Sequence, residues 1–165
     1  MSFPEHFDMN EWFIVGTSLL MIVIFFLLPR RFSVTQIFVI LVFNFFAGTT
    51  GDTFFGGPPY NFYDIMDRPS FGYFDLSTYV FDFPLSAYVV IYFFDKWHIR
   101  GLPLFGYLLG WAIVTLIMER VADLVNVFTY IHWNIYESFV VYFISYALNI
   151  LVFIWTKRYV PQKYV

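Results

Sequence analysis

Residues 119–139 read ERVADLVNVFTYIHWNIYESF. They place three carboxylates, an arginine, a histidine and two asparagines in a chain that is 60% hydrophobic. Their reading decides between four long helices and five. Taken as one helix, residues 102–155 would far exceed the roughly 20 residues that a bilayer needs. That helix would also carry Lys157 and Arg158 to the wrong side. A turn at residues 129–133 divides it, although neither Gly nor Pro marks the place.

Working outward, the chain reads as one polytopic membrane domain over 1–165. The expected spans are 12–28, 32–48, 76–94, 102–118 with a helical continuation to 129, and 131–155. A long loop, 48–75, joins the second to the third. Pro84 falls inside the third span, where its missing N–H should kink the helix. The fold class is thus an all-α membrane protein with five transmembrane helices. Alternating loops put Arg30, Arg31, Lys96, Arg100, Lys157, Arg158 and Lys163 on one side, and Arg68 and Arg120 on the other. That seven-to-two bias follows the positive-inside rule. It sets the N-terminus outside and the C-terminus in the cytoplasm.

Composition agrees. Charged residues are 13% of the chain, about half the share of a soluble domain. The absence of Cys removes disulfides, thiolate metal sites and a Cys nucleophile. Without a basic stripe, nucleic acid is not an expected partner. The acidic start, MSFPEHFDMNEW, lacks the positive region of a signal peptide, so the first apolar segment is expected to be retained.

The loop GTTGDTFFGGPPYNFYDIMDRPSFGYFD, residues 48–75, is turn-rich and aromatic. It is expected to fold onto the membrane surface or over the bundle mouth, as an anchor or a lid. Asp52, Asp64, Asp67 and Asp75 could meet a hard cation, but without EF-hand spacing.

On a helix at about 100° per residue, Glu119, Asp123, Asn126 and Tyr130 share one narrow sector. Asn134, Ser138 and Ser145 form a stripe on the next span, with Glu137 at its flank. Intramembrane carboxylates are costly and normally face the bundle interior or water. Asp82, Glu119, Asp123 and Glu137 are therefore expected to converge on an outward-facing cavity, with Asn126 and Asn134 as further ligand or ion-binding candidates. Such a cavity could hold a proton, a cation or the polar head of a lipid. His132, at the mouth, is the proton-shuttle candidate. The plain alternative is that these groups sort helices and meet headgroup water.

Three motifs resemble a family of small, largely uncharacterised multi-spanning membrane proteins common in spore-forming bacteria. They are FDFP at residues 81–84, the carboxylate pair Glu119 and Asp123, and WNIYESF at residues 133–139. The likeness covers residues 52–155. Asp123 stands where the family pattern has Glu, and the gap to Trp133 is about two residues shorter. The resemblance implies about five helices in a bacterial cytoplasmic membrane and brings no activity.

The expected function is binding or transport of a proton, cation or small polar or lipid ligand. Alternatives are an intramembrane enzyme acting on a lipid-like substrate and a structural subunit of a membrane complex. There is no nucleophile elbow and no H-E-x-x-H pair, so no catalytic residue, metal set or cofactor is assigned. The expected partners are the lipid bilayer and either other membrane proteins or further copies of the chain.

Overall fold

The computed structural model describes residues 7–65 and 72–160. Asp67, Arg68 and Lys163, named above, lie outside them. Five helices are long and apolar enough to cross a membrane: α1 (Met9–Leu27), α2 (Val34–Gly56), α3 (Tyr73–Lys96), α4 (Leu102–Leu124) and α5 (Ile135–Tyr159). Their lipid-like surface fits that reading. Phe26, Leu27, Phe38, Ile117, Leu151 and Trp155 are all exposed, and a soluble chain would not leave such a surface bare.

Each start has a local cause. The Ser33 hydroxyl accepts from the Gln36 N–H at 3.3 Å, and Gln36 Oε1 accepts from the Ser33 N–H at 3.0 Å, which starts α2. For α5, Asn134 Oδ1 accepts from the Tyr136 N–H at 3.0 Å, and Glu137 Oε2 accepts from the Asn134 N–H at 2.7 Å. Pro103, in the first turn of α4, needs no hydrogen-bond partner there.

At the centre lies α3. Half of its most apolar stretch is buried, against 17–28% in the other four helices. Residues 87–92 are buried without interruption, so α3 has no exposed side there. The expected break at Pro84 takes the form of a π-helical turn, Thr78–Asp82. The Phe83 N–H reaches back to the Thr78 carbonyl, one residue further than in an α-helix. Across from it α2 approaches closely at Gly48, where a Cβ would overlap the Phe83 ring.

The bundle has two dissimilar ends. At one, two short strands form an antiparallel pair: β1 (Tyr63–Ile65) and β2 (Phe128–Tyr130), with Tyr63 opposite Tyr130. We call this the cap end. At the other, Asp95 of α3 joins Arg31 at 2.6 Å and Lys157 of α5. We call this the clasp end. Between them, Asn44 of α2 and Asn149 of α5 exchange amide hydrogen bonds at 2.7 and 3.0 Å.

Helix α5 runs from 135 to 159 rather than from 131 to 155, and the two largest departures from the expected boundaries are at the ends of α4 and α2. Helix α4 stops at Leu124 rather than continuing to 129. Asn126 then turns the chain with φ of +59°, in the left-handed region that Asn tolerates. Helix α2 runs to Gly56 rather than ending at 48. Thr49 and Thr53 satisfy their hydroxyls on the carbonyls four residues back, each at 2.7 Å, so the polar run GTTGDT stays helical.

Candidate functional site

Glu119, in the last turns of α4, is 7% exposed. Its Oε1 accepts two hydrogen bonds: from the Tyr130 hydroxyl at 2.5 Å and from the Ser138 hydroxyl at 2.6 Å. Ser138 in turn accepts from the Trp133 indole N–H at 2.7 Å. The fold makes this arrangement locally. The turn at Asn126 sends β2 back over the end of α4, so Tyr130 reaches a residue eleven positions earlier. The box at Asn134 fixes the first turn of α5, where Ser138 sits. Glu119 Oε2 is buried without a hydrogen-bond partner.

A second carboxylate stands close by. Asp52, in the last part of α2, accepts from the Tyr63 hydroxyl at 2.7 Å. Tyr79, from the π-turn of α3, is its other hydrogen-bond partner. The two carboxylates share tyrosine neighbours. Tyr63 lies within electrostatic reach of Glu119 as well as Asp52, and Tyr142 of α5 lies within reach of both. A third carboxylate, Asp75, closes the first turn of α3 through the Gly72 N–H at 2.7 Å. Its Oδ1 is buried without a partner, and its charge is felt by Asp52 and Tyr79.

The phenols are locked as donors. Burial, then the Asp52 charge, push Tyr63 far above the ordinary phenol range. Burial, then the Glu119 hydrogen bond and charge, do the same to Tyr130. Both keep their protons at any physiological pH. The cluster is thus built of carboxylates and hydroxyl donors. Among the described residues, no Lys or Arg pairs with Glu119 or Asp52. The nearest cation, Arg120, bonds Asp123 at 3.2 Å and lies over the Tyr130 ring.

The other sequence candidates go elsewhere. Asp82 accepts from the Ser18 hydroxyl of α1 at 2.5 Å, with Thr17 as a further hydroxyl partner. No hydrogen bond joins it to Glu119. Asp123 is held by Arg120 near the surface. Asn126 is an exposed turn residue. Asn134 and Glu137 are spent on starting α5, and both are exposed, as is His132. Of the expected carboxylate set, only Glu119 is both buried and joined to several elements.

Asp52, Tyr63, Tyr79 and Tyr142 were not in the expected site. Gln36 and Asn44, on the same helix as Asp52, are buried, but each step of eight residues turns about 80°, so spacing does not put all three on one face. Among the described residues no group of three or more His, Cys, Asp or Glu is placed to hold a metal ion.

Compared with protein families, with curated proteins and with solved structures, the chain finds no match.

Proposed function

We propose that the protein is a multi-pass protein of the bacterial cytoplasmic membrane that binds or transports a proton or small cation, taken up at Glu119 from the outer side. The observation that carries this reading is the Glu119 carboxylate itself. One oxygen holds two hydroxyl donors, and the other is enclosed with no partner. An ionised carboxylate so placed is costly in low dielectric, and a proton or a cation relieves that cost.

The side is argued from charge. Lys and Arg concentrate in the loops of the clasp end, which supports a cytoplasmic clasp and an outer cap. The three motifs shared with the membrane proteins of spore-formers support the bacterial membrane. An enzyme acting on lipid has less support, because His132 makes no contact with Glu119 that would let it shuttle protons.

The test is flux in proteoliposomes of purified protein, with a pH-sensitive dye inside and an imposed proton gradient. Wild type should dissipate the gradient, and Glu119→Gln should lose most of that flux while unfolding at an unchanged temperature. Unaltered flux in the folded Gln variant would overturn the reading. So would a wild type that neither moves nor binds protons or alkali cations.

A further inference from the structure

We infer that the clasp end is a docking surface for anionic phospholipid headgroups, held by Arg30, Lys96 and Arg158. This goes beyond the reading of Glu119 and does not depend on it.

The clasp itself gathers these residues. Asp95 draws the loop after α1, the end of α3 and the end of α5 to one carboxylate, through Arg31 at 2.6 Å and through Lys157. Arg30, Lys96 and Arg158 are the chain neighbours of those three clasp residues. Consecutive Cα atoms are about 3.8 Å apart, so the clasp brings their backbones together as well. All three residues are exposed. Arg100, in the loop before α4, is exposed beside them.

Among the described residues of that end, nothing neutralises them. Asp95 is the one acid in residues 28–33, 93–101 and 155–160, and its acceptors are taken. Its carboxylate oxygens hold Arg31 and Lys157. Its carbonyl accepts from Arg31 Nη2 at 3.2 Å and meets His98 Nδ1 at 2.7 Å. Helix dipoles account for part of the charge. Lys96 and Arg158 lie in the last turns of α3 and α5, where a cation is favoured. Arg30 has no such reason, because it stands beyond the end of α1.

Depth selects the partner. Trp97, Trp155 and Tyr159 are exposed beside the cations, and the Trp155 and Tyr159 rings lie 5.1 Å apart. Lys96 Nζ lies 5.9 Å from the ring centres of both Tyr92 and Phe93, one turn back along α3. Its charge rests against the wall of the bundle rather than reaching away into water. Exposed rings among Lys and Arg are the composition of a membrane–water interface. An acidic protein or a nucleic acid needs cations that stand clear of the bilayer; these stand at the level of lipid phosphates. A phosphodiester offers several acceptor oxygens to an Arg fork and a Lys ammonium. A zwitterionic headgroup brings its own cation and gains less from the same surface.

The test equilibrates purified protein in micelles holding equal amounts of phosphatidylglycerol and phosphatidylcholine, and quantifies the lipid that stays with the protein on a column. Phosphatidylglycerol should be retained at least about tenfold over phosphatidylcholine. Raising salt from about 0.1 M to about 1 M shortens the screening length from about 10 Å to about 3 Å and should remove most of that preference. Arg30→Gln, Lys96→Gln and Arg158→Gln together should bring the two lipids close to parity, while the variant unfolds at an unchanged temperature in phosphatidylcholine alone. The salt series on wild type decides the matter even where the triple variant fails to fold. Parity in wild type would overturn the inference, as would a preference that neither salt nor the folded triple variant moves. Displacement of the lipid by inorganic phosphate as readily as by phosphatidylglycerol would overturn it too, because the surface would then take phosphate from solution.

Discussion

The two ends of the bundle handle buried carboxylates in opposite ways. At the clasp, Asp95 has two cations, Arg31 and Lys157, from two other parts of the chain. At the cap, Glu119 and Asp52 have only phenols and a serine. A carboxylate with cations on both sides is a finished structural contact. A carboxylate surrounded by neutral donors still carries an uncompensated charge. The first arrangement ties α3 and α5 to the loop after α1. The second leaves the cap carboxylates without a Lys or Arg partner among the described residues.

The largest expected effects follow from exchanging the two cases. Asp95→Ala removes the anion from the clasp and leaves Arg31 and Lys157 facing one another. Both are about one-third exposed, so water softens the cost to about 1–2 kcal/mol. Unfolding in detergent or graded denaturant should show that loss, and flux should survive in the folded fraction. Glu119→Gln should do the reverse. The amide oxygen can still accept from Tyr130 and Ser138, so stability holds while flux disappears. A clasp variant that lost flux without losing stability would erase the distinction between the ends.

A smaller effect is expected midway, where Asn44 and Asn149 satisfy each other between the ends. Either single change to Leu leaves the other amide only its bond to a carbonyl of its own helix, Ile40 for Asn44 or Ser145 for Asn149, with its oxygen unpaired, and should cost about 1–2 kcal/mol. The double change to Leu removes both polar groups, so it should recover a large part of that loss. A double variant as unstable as the sum of the singles would mean that the pair does not act as a unit.

Much of the scaffold was legible in the sequence. The five apolar segments stand where hydropathy put them, and the turn after α4 lies in the stretch that demanded one. The site was legible only in part. Helical periodicity found Glu119, but it also collected Asp123, Asn126, Asn134 and Glu137. Those residues share its polarity and not its burial. Spacing cannot tell a carboxylate that caps a helix from one buried among three elements. Asp52 was missed for a different reason. Gly and Thr beside it look like loop residues in water, yet Thr can return its hydrogen bond to the helix and remain apolar to its surroundings. Tyr130 fell in the polar sector with Glu119, but Tyr63 was invisible because its place depends on the pairing of β1 with β2. Those strands are three residues each, too short to carry a pattern.

The smallest effects should come from the polar residues on the surface of the cap, and they sharpen where the site ends. Asp123 is 29% exposed in its side chain and Arg120 46%. Asp123→Asn should therefore change stability by no more than about 1 kcal/mol, and less in high salt. Glu137→Gln keeps an oxygen that can accept from the Asn134 N–H, so α5 should start as before. Both variants should retain wild-type flux. Loss of flux in Asp123→Asn would extend the site outward along α4, where Asp123 lies one turn beyond Glu119. Retained flux would confine the chemistry to the buried layer, where hydroxyls rather than cations surround the charge.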